Sequence, residues 1–288
     1  MRHGKAIASV VAAATAVVVL GAPPALAGDS IAFVANRNGN TDVYVMDSRG
    51  NGIRRLTSSG GANTVPVWSP DHSRIAFRTN RTGDFEIFAM NADGSGQVNL
   101  TRSPAGDFDP SWSPDGSQIA FSSTRSGTYD IYAMNADGTN ARRLTRSRAV
   151  EGTPSWSPDG TRIAYVRWFE GSYEVFVMDA DGSDHQRLTS SPATDFRPVW
   201  SPDGRRIAYR TNRDGNWEIY VMPASGGVGI NVTRNPAPDF EPAWVNGGLD
   251  IAFHSIRGGY SGVFMMDALG GNQRRISPAK WMAGLPAS

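Results

Sequence analysis

The chain has 288 residues, of which 28 are Lys or Arg and 27 are Asp or Glu, and none is Cys. This near balance of charge gives no electrostatic reason to expect nucleic acid or a membrane surface as the partner. Without thiols the chain depends on neither an oxidising nor a reducing compartment, and it cannot hold a metal through Cys.

The N-terminal segment differs in character from the rest of the chain. It has a basic start, an apolar run at residues 6–20 and the small residues "ALA" at 25–27. This pattern predicts a signal peptide at residues 1–27, cleaved after Ala27. A retained transmembrane anchor is the alternative, but the run is shorter than the roughly 20 residues that a span needs. We therefore expect residues 28–288 to be exported to the periplasm or outside the cell, without membrane insertion after cleavage.

The rest of the chain is a repeat with a period of 44 residues and no slippage. The triplet "IAF" or "IAY" recurs six times, first at Ile31 and last at Ile251. A Trp recurs five times at the same spacing, and we expect its ring to fill the wedge between neighbouring units. The five positions are Trp68, Trp112, Trp156, Trp200 and Trp244.

Each copy reads as four short strands separated by turns. "PSW" leads into the turn "SPDG", then come "IAF", a polar turn, the alternating strand "DIYAM", the turn "NADG" and finally "RRLT". No stretch has helical periodicity. Four strands in each 44-residue copy are typical of a propeller blade, so six copies predict an all-β, six-bladed β-propeller.

The ring must also close. The first copy begins at "GDSIAF" and lacks its innermost strand, while Pro286 falls in the repeat position of Pro66. The sequence therefore predicts that the C-terminal residues supply the missing strand of the first blade.

The repeat "PSWSPDGSQIAFSSTRSGTYDIYAMNADG" closely resembles that of the TolB-type propellers, and the resemblance covers essentially all of residues 28–288. TolB carries a small α/β domain before its propeller, and no segment here corresponds to it. TolB binds a peptidoglycan-associated lipoprotein and other envelope proteins through its propeller. The resemblance therefore implies the fold and suggests, by analogy, a protein partner.

Charged residues also recur at fixed positions of the repeat. An Arg precedes the turn between the second and third strands, at Arg37, Arg81, Arg125, Arg213 and Arg257. An acid follows five residues later, at Asp42, Glu86, Asp130, Glu174 and Glu218. Another acid stands shortly before the Pro, at Asp107, Glu151, Asp195 and Asp239. The first two sets flank one turn, so we expect them to pair across it. We call each set of equivalent positions in the repeat a column. These charged columns form either a lattice that ties the blades together or a charged rim around a channel that receives a ligand or cation.

Signals for catalysis and metal binding are weak. No "GxSxG" elbow occurs, and the His residues fall in different columns. His254 stands at the same position of the repeat as Arg78 and Arg210, which places it near the channel as either an isolated channel-facing base or a partly exposed bystander. We expect no cofactor. Calcium is the alternative, since "NRDGNWE" at 212–218 and "DADGSD" at 179–184 gather oxygen ligands around a Gly, although Asx-Gly is also a common tight turn.

The fourth copy departs from the repeat. It reads "RWFEG", with Trp168 and Phe169 where other copies have a residue such as Asn80 followed by Arg81. Either the aromatic pair repacks locally, with Trp168 on Tyr173, or it is an exposed anchor for a partner. The preceding loop, "TRSRAVEG", is irregular as well. The predicted partner site consists of Arg146, Arg148, Arg167, Trp168, Phe169 and Tyr173.

Together these patterns predict a monomeric, exported, non-catalytic propeller that binds a protein or peptide. Glycan or cell-wall polymer binding is one alternative, with Trp168, Phe169 and Trp217 stacking on sugar rings. A lyase or hydrolase acting in the channel around His254 is the other.

Overall fold

A computed structural model describes residues 18–19, 30–37 and 39–278 of the chain. In these residues 24 strands form six four-stranded antiparallel sheets, and each sheet is one blade. Two three-residue 3₁₀ turns, Asn246–Gly248 and Arg257–Gly259, are the helical elements of the described part. The predicted six-bladed propeller is confirmed.

The strands follow the repeat, with the innermost strand first in each blade. Blade 1 contains β1 (Val18–Val19), β2 (Ser30–Arg37), β3 (Asn40–Asp47) and β4 (Arg54–Arg55). Blade 2 contains β5 (Asn63–Trp68), β6 (Arg74–Thr79), β7 (Glu86–Asn91) and β8 (Val98–Asn99). Blade 3 contains β9 (Asp107–Trp112), β10 (Gln118–Ser123), β11 (Asp130–Asn135) and β12 (Arg142–Arg143). Blade 4 contains β13 (Glu151–Trp156), β14 (Arg162–Phe169), β15 (Ser172–Asp179) and β16 (Gln186–Arg187). Blade 5 contains β17 (Asp195–Trp200), β18 (Arg206–Thr211), β19 (Glu218–Pro223) and β20 (Ile230–Asn231). Blade 6 contains β21 (Asp239–Val245), β22 (Asp250–Ser255), β23 (Gly262–Asp267) and β24 (Arg274–Arg275).

The third strand of each blade is more buried than its alternating pattern predicts. In β11, Ile131 and Ala133 are fully buried on one face, while Tyr132 and Met134 are at most 7% exposed on the other. Both faces are covered because each sheet is packed between two neighbouring blades. Alternation of this kind usually indicates a strand with one buried face, and that interpretation is wrong for this strand.

The wedge between blades is filled as predicted. All five recurrent Trp side chains are buried, and Trp112 and Trp244 also donate their Nε1 hydrogens to the carbonyl oxygens of Val67 and Val199 in the preceding blade. Apolar clusters of this kind join every pair of neighbouring blades. One of them packs Phe33 of blade 1 against Ala252 of blade 6 and so closes the ring.

The innermost strand of blade 1 comes from the N-terminal side. Val18 and Val19 pair antiparallel with Phe33 and Ala32 of β2, inside the segment predicted to be a signal peptide. The C-terminal residues 279–288, which the sequence analysis assigned to this place, lie outside the described residues. Cleavage after Ala27 would remove β1 and leave the inner edge of β2 to another segment.

Candidate functional site

The inner wall of the channel is shaped by a β-bulge in each of β5, β9, β13, β17 and β21. Each bulge contains a Pro, which has no N–H to donate and therefore interrupts the ladder. The residue before that Pro adopts a positive φ, which is uncommon for a residue other than Gly. These bulge residues are Val65 (φ 52°), Asp109 (51°), Thr153 (51°), Arg197 (58°) and Glu241 (54°).

Three of the bulge residues form an ion-pair network across the channel. Arg197 Nη2 lies 2.9 Å from Asp109 Oδ1, and Arg197 Nε lies 2.8 Å from Glu241 Oε2. Arg210, from β18, places Nη1 at 2.9 Å from the other oxygen of Glu241. Both carboxylates are at most 5% exposed. Burial would lower the pKa of Arg197, but Glu241 and Asp109 outweigh it and raise that pKa.

An arc of aromatic side chains surrounds the channel on the face that carries the turns between second and third strands. Phe108 contacts Phe85 and Tyr129 at ring-centroid distances of 5.6 and 5.3 Å. Further round, Tyr173 lies 5.3 Å from Phe196, and Trp217 lies 6.4 Å from Phe240. We call this arc the aromatic collar, and its members are Phe85, Phe108, Tyr129, Trp168, Tyr173, Phe196, Trp217 and Phe240. Arg210 stacks between its members, with its guanidinium carbon 4.9 Å from the centre of the Trp217 ring.

The opposite end of the channel opens into a cavity of about 440 Å³. Its walls carry the recurrent Trp and Pro side chains, and Asp109, Thr153, Arg197 and Glu241 also line it. The ion-pair network therefore lies between this cavity and the aromatic collar.

His254 lies in β22 and is almost completely buried, at 1% exposure. Its ring stacks on Phe240, with centroids 5.6 Å apart, and its Nε2 is within hydrogen-bond distance of Ser261 Oγ. Burial, followed by the charges of Arg210 and Arg275, lowers the pKa of His254 to about 3. The side chain is therefore neutral near pH 7. Because it is almost completely buried, the interpretation of His254 as a partly exposed bystander is wrong.

The acids that precede the Pro are fully buried in ion pairs. Asp107 pairs with Arg125, Glu151 with Arg167, Asp195 with Arg213 and Asp239 with Arg257, at N–O distances of 2.6 to 3.1 Å. Burial raises the pKa of Asp107, Asp195 and Asp239. All four carboxylates are enclosed, and each pairs with an Arg of its own blade. These ion pairs therefore form neither an open charged rim nor a lattice that ties one blade to the next.

The predicted pairing across the turn was wrong. In blades 2, 3, 5 and 6 the Arg of the turn reaches back to the first strand of its own blade. In blades 1 to 5 the acid on the third strand bonds instead to the fourth strand or to the Thr just after it. Glu174 shows this, because it accepts from Arg187 at 3.0 Å and from Thr189 Oγ1 at 2.6 Å. The recurrent Thr of the "LT" motif is thus a partner of that acid. In the fourth copy Phe169 stands where the other copies have the Arg of the turn, and the nearby Arg167 binds Glu151 rather than Glu174.

The residues of the fourth-blade break have separate roles. Phe169 is half-buried against the wedge cluster between blades 3 and 4, under the guanidinium of Arg187. Trp168 is also half-buried and meets Tyr173 edge-on at 5.0 Å, as part of the aromatic collar. Its backbone N–H donates to the carbonyl oxygen of Val150, so the irregular preceding loop lies against it. In that loop Arg146 and Arg148 are exposed.

In residues 30–37 and 39–278, no three His, Asp or Glu side chains converge in a way that could hold a metal ion. In the two segments considered for calcium, Asp214 accepts hydrogen bonds from Tyr220 and Asn231, and Asp181 accepts from Ser183. No helix in the described part of the chain is long and apolar enough to cross a membrane.

The bulge residues were not among the site residues predicted from the sequence. A signal was present, because a Pro within a strand pattern indicates a bulge or an edge strand. The position before that Pro also carries Asp109, Arg197 and Glu241, whereas the neighbouring Trp position does not vary among the five copies.

Comparison with known proteins agrees with this architecture. Residues 16–100, 66–151 and 128–283 match the family model described as the TolB beta propeller domain. The structure of TolB from Acinetobacter baumannii superposes with a TM-score of 0.76 and 21% identity, over 86% of this chain and 63% of that one. The structure of a putative TolB from Agrobacterium tumefaciens superposes with a TM-score of 0.69 and 23% identity, over 78% of this chain and 83% of that one. The structure of an oligogalacturonate lyase in complex with manganese superposes with a TM-score of 0.63 and 13% identity, over 88% of this chain and 75% of that one. At these identities the structural similarity establishes a shared fold, and the chain spans less than two thirds of the Acinetobacter protein.

Proposed function

The chain belongs to the TolB β-propeller family, and from this membership we propose that it is an exported, non-catalytic binding protein whose partner is a protein or peptide in the cell envelope or outside the cell. The observation that carries the proposal is the aromatic collar. Five of its rings, those of Phe85, Phe108, Trp168, Trp217 and Phe240, are only half-buried. Aromatic side chains are enriched in the cores of protein interfaces, where they contribute large contact areas.

The surroundings of the collar also suit a protein partner. Arg146 and Arg148 are exposed in the loop that contacts Trp168, so cationic groups border an apolar surface. An apolar centre with a polar edge is the usual anatomy of a protein interface. The proposed contact surface therefore combines the collar with the loop between blades 3 and 4.

His254 supports a binding role over a catalytic one. Its ring is almost completely buried, and Nε2 already faces Ser261. A general base must reach the proton that it removes, directly or through one water molecule. A lyase or hydrolase in the channel would require His254 to become accessible, so this remains the less favoured alternative.

Affinity capture followed by mass spectrometry tests the proposal. A tagged full-length chain is incubated with envelope and culture extracts, alongside the single variants Trp168→Ala and Trp217→Ala. Leu269→Ala is the matched control, because Leu269 is 85% exposed in a turn on the opposite face. Phe169 is left unchanged, since its ring packs against the wedge cluster.

A protein captured by the parent and the Leu269→Ala control, but lost by folded collar variants, would support the proposal. Equal capture by all four chains would contradict it. Competition by free saccharide, with no effect of peptide, would favour the glycan alternative, in which the collar rings stack on sugars.

A further inference from the structure

One buried guanidinium in the channel has no carboxylate partner. Arg78, in β6, is 5% exposed, and among the described residues no carboxylate oxygen lies within 4.0 Å of it. Its Nε donates to Thr64 Oγ1 at 2.9 Å. Its guanidinium carbon lies 4.6 Å from the ring centre of Phe85 and 5.6 Å from that of Phe108.

The charges around Arg78 do not cancel. The channel holds three guanidinium groups, those of Arg78, Arg197 and Arg210, against the two carboxylates of Asp109 and Glu241. Those of Arg78 and Arg210 are buried, and the side chain of Arg197 is 13% exposed. Both carboxylates are already engaged by Arg197 and Arg210. His254 adds no charge near pH 7, because its pKa is lowered to about 3. One positive charge is therefore left over.

An unpaired buried charge is unfavourable unless something compensates for it. The two Phe rings offset part of the cost through cation–π attraction. Burial lowers the pKa of Arg78 to about 10, which still leaves the side chain charged at neutral pH. Stacking and one hydroxyl acceptor leave the other N–H groups of the guanidinium available for an anion.

We propose that the channel binds a carboxylate, held by the guanidinium of Arg78 between Phe85 and Phe108. A carboxylate matches the planar fork of a guanidinium and accepts two parallel hydrogen bonds from it. It also carries a single negative charge, which equals the excess in the channel. Doubly charged phosphate would instead leave a net negative charge in a buried site.

The carboxylate could belong to a free small molecule or to an acidic side chain of a partner, so the site does not depend on the proposed protein partner. Phe85 and Phe108 are half-buried members of the collar. Arg78 therefore lies next to the mouth of the channel that the collar surrounds, and either source would approach from there.

The first test measures the thermal stability of the full chain against acetate, with chloride at equal ionic strength as the reference. We expect a saturable, acetate-specific rise in Tm for the parent and for Arg49→Gln, a control that removes an exposed Arg. Arg78→Gln should lose it, with apparent affinity weakened by about tenfold or more, as for a charge-assisted hydrogen bond. No acetate-specific rise in the parent, or an unchanged rise in Arg78→Gln, would overturn the proposal.

A second variant keeps the test decisive if Arg78→Gln does not fold. Thr64→Asp places a carboxylate beside Arg78 Nε and supplies the missing counter-charge from within the chain. We expect a higher Tm than the parent without acetate and no further rise with it, whereas Thr64→Asn should retain the acetate response. Thr64→Asp that still responds like the parent would also overturn the proposal.

Two blocked peptides identify the source of the carboxylate. N-acetyl-Ala-Glu-Ala-amide is titrated beside its Gln counterpart and beside acetate. Tighter binding of the Glu peptide than of acetate would support a carboxylate carried by a partner, and preference for acetate would support a free small molecule. If neither probe binds better than the Gln peptide, no carboxylate site exists.

Discussion

Arg197 of blade 5 binds Asp109 of blade 3, at 2.9 Å between Nη2 and Oδ1. These blades are not neighbours in the ring, so the ion pair joins two walls of the channel. Arg197 also binds Glu241 of the adjacent blade 6. A single guanidinium thus links three of the six blades at the centre of the molecule.

Arg197→Met should destabilise the fold by about 3–5 kcal/mol, because it leaves the buried carboxylate of Asp109 without its cation. Urea denaturation at neutral pH measures the loss in the free energy of unfolding. The double variant Asp109→Leu/Arg197→Met should recover a large part of it, since no unpaired carboxylate then remains. A loss below about 1 kcal/mol for the single variant would mean that water compensates Asp109 as it does a surface charge.

Arg167→Met should also be costly, by about 3–5 kcal/mol, because Glu151 is fully buried and Arg167 is its ion-pair partner at 2.6 Å. Arg148→Met, in the exposed preceding loop, should change stability by no more than about 0.5 kcal/mol. Thermal and urea denaturation of the two variants separate a structural Arg from one available to a partner. Equal effects would contradict this assignment.

His254 should make the protein less stable as the pH falls. Its pKa is lowered to about 3 in the folded state, below the unfolded value of 6.5, so the unfolded chain binds the proton first. Its contribution to stability is therefore complete above pH 6.5 and declines between pH 6.5 and 3, by up to about 1.4 kcal/mol per pH unit. Arg210 and Arg275 are the charges that disfavour its protonation.

Urea denaturation between pH 7.5 and 5 checks this, because most carboxylates remain ionised in that range. His254→Gln should show a shallower decline than the parent. His185 also has a lowered pKa and contributes a slope that both proteins share. An unchanged slope in His254→Gln would show that the ring accepts a proton in the folded state.

Glu170 should be a site of easy stabilisation. It has φ 50° in the two-residue turn with Gly171 that joins Phe169 to Ser172. Such turns favour Asn at the first position, since Asn adopts positive φ readily. Glu170→Asn should raise stability by about 0.5–1 kcal/mol, measured as a higher Tm. Its contact with Arg187 is long, at 3.6 Å, and Glu170 is 72% exposed, so little is lost. A lower Tm would show that this contact matters more than the turn.

The fold was predictable because local patterns repeat. The recurrent Trp and "IAF" fixed the register of every blade, and the "SPDG" turn placed the first two strands. The burial of the third strand could not be predicted, because alternation along one strand does not reveal that both faces of the sheet are covered. The pairing of Val18–Val19 with β2 was not predicted, since two residues carry no usable strand signal. The C-terminal residues that were predicted to fill this place lie outside the described residues.

The site was only partly predictable. The sequence placed His254 near the channel, at the same position of the repeat as Arg78 and Arg210. It did not place Asp109 next to Arg197, because they meet only when a ring brings blades 3 and 5 face to face. The pairing of the recurrent Arg and acids was misassigned because proximity along the chain is a poor guide once a side chain can reach the neighbouring strand. Glu174 and Arg187 are the example.

The bulges separate two kinds of position within one repeat. The Trp residues and buried strands that hold blades together are nearly identical from copy to copy, whereas the bulge residues of blades 2 to 6 are Val65, Asp109, Thr153, Arg197 and Glu241. Sixfold architecture therefore coexists with a lining that has no symmetry at all. Substitutions at the bulges can change the lining of the centre without touching the Trp wedges between blades, provided that the ion-paired residues Asp109, Arg197 and Glu241 are replaced together. For protein engineering, those positions are natural ones to randomise when a new ligand is sought.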